Sequence, residues 1–313
     1  MPSLVLLYLV QRLLSSLLTL WVIITLTFVL MHAIPGDPFL TEARISPQAT
    51  ANLRAFYGLD QPLPVQYVRY LGHLIRLDLG RSMRSEVRDI NQMIADGLPV
   101  SALLGIEALA IALAAGVTLG VLAALRHNRA VDHLSMATAV VGISVPSFLL
   151  ATLLIALFAV HVPLFPVSAW GSWRHTVLPA FSLALGPLAY VARLTRSSML
   201  EELRQDYVKA ALARGLGRWR VVTTHALRNA LLPVVTVLGP LSAAVLTGSF
   251  IIENIFAVPG IGKIFVLSIS DRDYPLILAG AVVYSALLLA ANLAVDLAYG
   301  LVDPRIRLHG GRS

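Results

Sequence analysis

Long apolar runs separated by short polar segments dominate the pattern of the chain. Six runs of about 18 or more residues carry almost no charge, and this is the length that a helix needs to cross a membrane. The runs are 13–31, 101–125, 136–160, 177–194, 231–252 and 276–299. The pattern therefore predicts an all-α integral membrane protein with six transmembrane helices.

The composition supports the same setting. Of the 313 residues, 57% are hydrophobic and only 13% are charged, whereas about 25% of the residues in a soluble domain are charged. We therefore expect a multi-pass protein of the cell membrane, either a plasma or an inner membrane. The first run is longer than the apolar part of a signal peptide and no cleavage site follows it, so we expect it to remain as an anchor.

Lysine and arginine are unevenly distributed among the segments that join the runs. With both termini inside, fourteen of them lie on the inner side and three in short outer loops, and seven more lie in the long segment after the first run. Because short cytoplasmic loops carry the excess of positive charge, this distribution predicts cytoplasmic termini. The net charge of +7 is then explained by the lipid of the inner leaflet and a cytoplasmic partner, without nucleic acid.

This topology divides the chain into three parts. Residues 1–33 form an N-terminal transmembrane helix, and 34–100 form an extracytoplasmic segment. Residues 101–313 form a five-helix core, which includes a cytoplasmic coupling segment at 195–230 between the fourth and fifth helices.

Prolines and glycines divide the extracytoplasmic segment into short elements rather than one domain. Within it, residues 48–57 and 65–77 have the composition of helices. The segment is either a cap that lies on the outer membrane surface or a docking surface for an external partner, and the sequence leaves both readings open.

The coupling segment has the pattern of two helices that meet at a corner. Ser197 and Ser198 precede an acidic pair and favour a helix start there, and helix formers follow up to residue 214. Gly215 and Gly217 interrupt this helix, and a second one can begin at Arg218 in a new direction.

Such a corner presents small side chains beside positive charges, which suits insertion into a groove on another protein. The residues expected on this surface are Asp206, Lys209, Ala210, Ala211, Arg214, Gly215, Leu216 and Gly217. The alternative is an amphipathic connector that only shields the helix bundle from water.

Several positions within the apolar runs are candidates for a translocation pathway or its gate. Prolines and glycines there release backbone groups that neighbours or water must satisfy, so they shape a gated pathway or are plain packing kinks. The candidates are Pro146, Pro187, Gly239, Pro240 and Glu107.

Two carboxylates lie within the predicted spans, Glu107 in the second and Asp296 near the inner end of the sixth. A buried charge in a membrane is costly, so each is expected to face protein or a water-filled space. Gly116 and Gly120 have the spacing that permits close contact between two helices.

Enzyme chemistry has no support in the sequence. The chain has no cysteine, its eight histidines form no pair at i, i+4 that would bind a metal, and no phosphate-binding loop is present. Nucleophile candidates are scattered over separate runs without a recognisable elbow. We therefore expect neither a metal site nor catalysis in this chain.

Several motifs resemble the permease subunits of ATP-binding cassette (ABC) importers. Ala210 and Ala211, then Gly215, and later Leu232 and Pro233 resemble their coupling signature, although Lys209 stands where that signature begins with an acidic residue. Further matching stretches are PGDP at 35–38, TRSSML at 195–200, HALRNALLPVVT at 225–236, ENIFAVPGIGK at 253–263, RDYP at 272–275 and DPRIR at 303–307. In this order they resemble the peptide and nickel branch, and most of all the first (B-type) permease subunit of oligopeptide and dipeptide importers.

The resemblance implies partners and a mechanism. A second homologous permease, two ATPase subunits and an extracytoplasmic substrate-binding protein are expected, with ATP and Mg²⁺ bound by the ATPases and no cofactor in this chain. The cargo is expected to be a peptide, or alternatively nickel or a metal chelate. A secondary transporter or channel is the alternative from another class, and it predicts inverted repeats and charges near the membrane midplane.

Overall fold

The computed structural model describes residues 2–33, 46–84 and 89–302, and its elements there are helices. They are α1 (Pro2–Ala33), α2 (Pro47–Tyr57), α3 (Leu63–Ile75), α4 (Ile90–Leu125), α5 (Ala130–Ser144), α6 (Ser147–Ile155), α7 (Arg174–Glu202), α8 (Asp206–Ala213), α9 (Arg218–Val221), α10 (Leu227–Ala230), α11 (Leu232–Leu246), α12 (Phe250–Ile255), α13 (Ile261–Asp271) and α14 (Tyr274–Val302). The π-helical turns Ala156–His161 and Val222–Ala226 follow α6 and α9. The PGDP and DPRIR stretches lie outside the described residues.

The predicted spans are confirmed in number, with one correction in shape. Five helical stretches are long and apolar enough to cross a membrane, and α5 with α6 makes a sixth only as a pair bent by 104°. The run 136–160 is therefore not one helix. Pro146 explains the bend, because the residue before a proline is disfavoured in the helical region, and Val145 is extended with ψ 121.

The second span begins earlier than the sequence indicates. The predicted run begins at residue 101, but α4 begins at Ile90 and contains Gly97 and Pro99. The side chain of Asp89 caps this start by accepting a hydrogen bond from the backbone N–H of Asn91 at 2.8 Å. At about 1.5 Å per residue the 36 residues of α4 extend about 54 Å, well beyond the hydrocarbon core of about 30 Å.

The fifth run is interrupted at a position that the sequence does not single out. Gly239 and Pro240 lie inside α11, which ends at Leu246, and the break follows at Gly248 with φ +81. Gly239 serves close packing instead, because a Cβ there would lie 2.1 Å from Oδ1 of Asn292 on α14.

The α4–α7 contact confirms the expectation for the G-x-x-x-G pair. A Cβ on Gly116 would lie 2.8 Å from the carbonyl oxygen of Leu188, and one on Gly120 would lie 2.6 Å from that of Ala192. Helices in a membrane gain stability from such close backbone approach, because no hydrophobic force holds them together there.

The first and last helices run side by side in opposite directions. Nε of Arg12 in α1 lies 2.5 Å from Oδ2 of Asp296 in α14, and at the other ends the rings of His32 and Tyr274 lie 5.9 Å apart. The beginning of α1 and the end of α14 are therefore on the same side of the bundle, as predicted. The assignment of that side to the cytoplasm stays a prediction.

Both predicted helices of the external segment are present as α2 and α3. Ser46 caps α2 by accepting from the backbone N–H of Ala49 at 3.2 Å. The hydroxyls of Tyr67 in α3 and Thr25 in α1 are 2.6 Å apart. The buried carboxylate of Asp273 accepts from the hydroxyl of Ser82 at 2.5 Å, so the segment is attached to the start of α14 as well.

Gly120→Ala is expected to destabilise the fold by about 1–3 kcal/mol, because the added methyl group forces α7 away from α4. Gly186→Ala is the matched control in α7, since a Cβ there meets nothing within 4 Å and alanine is the better helix former by about 1 kcal/mol. Thermal unfolding of the purified complex in detergent measures both. Equal melting temperatures for the two variants would contradict the tight contact.

Candidate coupling site

The helix of the coupling segment begins later than predicted. α7 continues through Ser197 and Ser198 to Glu202, so the expected start at the serines is wrong. Packing overrides the local signal, because Met199 is fully buried there. α8 starts at Asp206 instead, which places a carboxylate in its first turn, where the helix dipole favours negative charge.

One face of α8 is fixed to the helix bundle. An apolar cluster joins α8 to the inner ends of α4 and α7 and to the helices that follow. Its buried members are Val121, Ala124, Met199, Val208, Ala211, Val221, Val222, Ala226 and Ala230. Val208 and Ala211 are three residues apart and therefore lie on the same stripe of α8.

The opposite face of α8 is exposed and carries most of the predicted surface. Asp206, Lys209, Ala210, Arg214, Gly215 and Gly217 are exposed. Two expected members point elsewhere: Ala211 is only 3% exposed, and Leu216 packs against the apolar cluster. Ala211 is not exposed as expected, because Val208 fixes which side of the helix faces the bundle; its role in coupling stays a prediction.

An ion pair on the exposed face involves Lys209, the residue that stands where the coupling signature begins with an acidic residue. Nζ of Lys209 donates to Oδ1 of Asp206 at 2.9 Å. This hydrogen bond is the main reason why the pKa of Asp206 is below its usual value. Both side chains are in water, so the pair contributes little to stability. The carboxylate is nevertheless present on this surface, three residues before the lysine.

Gly215 ends α8 in a left-handed conformation with φ +82. Its N–H donates to the carbonyl oxygen of Leu212 at 2.9 Å, and the N–H of Leu216 donates to that of Ala211 at 3.3 Å. These two bonds form a Schellman motif, which favours glycine at this position. Gly217 has an ordinary φ of −58 and precedes α9. The predicted two-glycine corner is present, and only its first glycine depends on backbone freedom.

Tyr207 ties α8 to its neighbours on both sides. Its hydroxyl donates to the carboxylate of Glu202 at the end of α7 and accepts from Nδ2 of Asn229 in α10 at 3.0 Å. Partial burial, and then the neighbouring Glu202, raise the pKa of Tyr207. The hydroxyl therefore stays protonated, and α7, α8 and α10 are held together by hydrogen bonds as well as by apolar contact.

A second link lies deeper and was not identified from the sequence. Arg196 in the TRSSML stretch donates from Nε and Nη2 to the two carboxylate oxygens of Asp132, at 2.6 and 2.8 Å. Asp132 also accepts from the N–H of Asn128 at 2.9 Å, and it is almost completely buried. The inner part of α7 is therefore joined to the turn between α4 and α5.

The ENIFAVPGIGK stretch surrounds a buried carboxylate at the end of the bundle opposite to α8. Glu253 is 1% exposed, and it accepts from the hydroxyl of Ser101 at 2.7 Å and from the N–H of Lys263 at 3.3 Å. Ser101 in turn accepts from the N–H of Ile261 at 2.9 Å. A Cβ on any of three nearby glycines would meet this carboxyl group: Gly248, Gly260 and Gly262. The cluster joins α4, α12 and the start of α13.

The five pathway candidates lie on four separate parts of the fold. Pro146 begins α6 at the bend, Pro187 lies inside α7, and Gly239 and Pro240 lie inside α11. Glu107 is half-buried in α4 and has no hydrogen-bond partner among the described residues. Their role in translocation stays a prediction.

Comparison with known proteins decides the family. A model described as "Binding-protein-dependent transport system inner membrane component" matches residues 116–308, and one for the N-terminal part of such membrane components matches residues 5–101. The chain belongs to this family of permeases. It is therefore a multi-pass membrane subunit of the ABC transporter class and not a catalytic one.

Curated relatives agree with the B-type resemblance. The permease is 52% identical to the dipeptide transport system permease protein DppB of Bacillus subtilis over 302 residues, which cover 96% of this chain and 98% of the relative. It is 42% identical to DppB of Lactococcus lactis, with 96% and 99% covered. It is 38% identical to the oligopeptide transport system permease protein OppB of Escherichia coli, with the same coverage.

Solved structures agree in fold. The inward-facing MetNI methionine ABC transporter matches with a TM-score of 0.58 at 18% identity, over 70% of this permease and 99% of the other chain. An amino acid ABC transporter crystallised with histidines matches with a TM-score of 0.52 at 16% identity, over 66% and 93%. These likenesses support the membrane-helix architecture.

Gly215→Ala is expected to impair coupling, and Gly217→Ala is not. Neither added Cβ meets an atom within 4 Å, so the two variants differ in backbone strain alone, which is about 1–2 kcal/mol for a left-handed alanine. Gly215→Asn should recover part of the loss, because asparagine tolerates this conformation. Substrate-stimulated ATPase activity of the assembled transporter measures all three. Similar losses for both alanine variants would show that the Schellman end is not what matters.

Proposed function

We propose that this permease is the first of two membrane subunits of an ABC importer for dipeptides or oligopeptides. It forms half of the translocation pathway, and a second homologous permease forms the other half. An extracytoplasmic binding protein delivers the peptide, and two ATPase subunits bind ATP with Mg²⁺ and hydrolyse it. The names of the relatives and their coverage of nearly the whole chain support this proposal.

The observation that carries the coupling role is the two-sided character of α8. Its buried stripe is packed on the bundle, while Lys209, Ala210 and Arg214 stand exposed at its other face. We expect the exposed face of α8 to enter a groove on an ATPase subunit. The opposite, buried face of α8 is already packed on the membrane helices. Closure of the two ATPases would then move α8 with its attached helices as one body.

Two polar links would carry that movement onward. Tyr207 joins α8 to α7 and α10, and the Arg196–Asp132 pair joins α7 to the first turn of α5. A displacement of α8 would thus reach α5, and through it the bend at Pro146. Alternating opening of the pathway between the two permeases follows from such a rigid-body shift.

Cysteine cross-linking tests the docking face, because the natural chain contains no cysteine. Ala210→Cys should cross-link to an ATPase subunit that carries a cysteine in its groove. Ala211→Cys is the matched control, since the neighbouring alanine faces the bundle and is buried. Cross-linking at both positions, or at neither, would contradict the assigned face. A positive result also places α8 in the cytoplasm and so tests the predicted orientation.

The cargo is tested by ATP hydrolysis of the complete complex in lipid with its binding protein. Dipeptides and short oligopeptides are expected to stimulate hydrolysis, while nickel chelates are not. Stimulation by nickel chelates alone would move the permease to the metal branch. Transport by the permease without any ATPase would instead support a secondary transporter.

A further inference from the structure

A cavity of about 560 Å³ lies where the external helices meet the outer ends of two membrane helices. α2, α3 and the residues after α3 form one side of it, and α1 and α14 form the other. Its volume is within the range of about 300–1,000 Å³ that is usual for small-molecule sites. It lies on the periphery of the bundle, beside the first helix, whose apolar side chains are largely exposed.

The wall on the membrane side is apolar and aromatic. Phe28 of α1 and Leu278 of α14 line it and are buried, and so is Tyr274 at the start of α14. The ring of Tyr70 from α3 is stacked on Phe28 with 6.0 Å between the centroids. Tyrosines at the ends of membrane helices are typical of the boundary between hydrocarbon and water. With the predicted orientation, we expect the cavity at the depth of the lipid headgroups of the outer leaflet.

Three hydrogen-bond donors of the lining have no partner in the described parts of the chain. The guanidinium groups of Arg69 and Arg81, which are both exposed residues, make no hydrogen bond or ion pair there. The hydroxyl of Tyr70 is buried and also has none. Burial, and then Tyr67, raise the pKa of Tyr70 to about 12, so this hydroxyl keeps its proton. The unpaired buried hydroxyl of Tyr70 is unfavourable, which indicates that an acceptor belongs beside it in the cavity.

The acidic side chains of the lining are already engaged. Asp78 lies 2.8 Å from Nδ1 of His73 and accepts from the N–H of Gly80 at 2.9 Å, and these contacts lower its pKa. Asp89 is occupied as the cap of α4. The ionisable side chains of the lining that are left without a partner are therefore donors, and two of them are cations. An anionic oxygen group attached to an apolar body fits this set, and arginine is well suited to phosphate.

We propose that the cavity binds a phospholipid of the outer leaflet, with its phosphate held by Arg69 and Arg81 and its hydrocarbon along the wall of Phe28 and Leu278. The bound lipid fills the space between the external helices and the α1–α14 pair. It thereby fastens the extracytoplasmic segment to the membrane core. The C-terminal carboxylate of a short peptide shares part of this chemistry, but it lacks the long hydrocarbon that the membrane side of the cavity accommodates. The proposal does not depend on the identity of the cargo.

The test counts lipids on the complete transporter by native mass spectrometry. After removal of loosely bound lipid, the complex is titrated with phosphatidylethanolamine or phosphatidylglycerol. Arg69→Gln and Arg81→Gln should each weaken binding of one phospholipid per permease about tenfold or more, as expected for the loss of a charged hydrogen bond. Tyr70→Phe keeps the ring on Phe28 and should weaken it less.

Arg76→Gln is the matched control. Like Arg69→Gln, this substitution removes one positive charge from α3 or its cap. Arg76 caps the end of α3 and does not line the cavity. Equal lipid binding by Arg69→Gln, Arg76→Gln and the natural chain would overturn the proposal. A parallel arm adds a labelled dipeptide to the complex without its binding protein. If Arg69→Gln abolished dipeptide binding but left lipid binding unchanged, the cavity would be a peptide site and the lipid assignment wrong. If the natural complex binds the phospholipid but does not transport peptides, the proposed import function is wrong and the lipid site is not.

Discussion

The close approach of α4 and α7 is the constraint on which the other contacts depend. Inside a membrane, two helices are held by packing and polar contacts rather than by exclusion of water, so Gly116 and Gly120 must leave room for the backbone of α7. The outer end of α4 then presents Ser101 to the Glu253 cluster, and its inner end enters the apolar cluster beneath α8. One tight helix pair thus positions a polar cluster on one side and the coupling segment on the other.

At both ends of the α4–α7 pair, a buried carboxylate is surrounded by hydrogen-bond donors. Glu253 is surrounded by donors and bare glycine backbone at the outer side, and Asp132 is held by Arg196 and an N–H at the inner side. Removing one partner from such a group leaves a charge or a donor unsatisfied in a region of low dielectric, which is far more costly than never having the pair. Both clusters join helices that are distant in sequence, so they stiffen the two ends of the bundle.

The apolar runs were sufficient to predict the spans, because lipid requires long uncharged helices whatever their tertiary neighbours are. They were not sufficient to predict where the helices break. Pro146 bends the chain, while Pro187 and Pro240 lie inside continuous helices. The fifth span breaks at Gly248, where the Glu253 carboxyl group occupies the space of a side chain. Whether a helix breaks at a proline or glycine is therefore decided by the residues that pack against it, which are distant in the sequence. The two-glycine corner was predictable from local rules, but the inward orientation of Ala211 was not.

The pairing of α1 with α14 has a consequence for how the chain is made. α1 is synthesised well before its main packing partner α14, which carries the carboxylate of Asp296 opposite Arg12. At about 5–20 residues per second the interval is on the order of tens of seconds. During this time α1 has the contact with α3 at its far end but lacks the membrane helix on which it packs, so the bundle is completed by α14 rather than grown outward from α1.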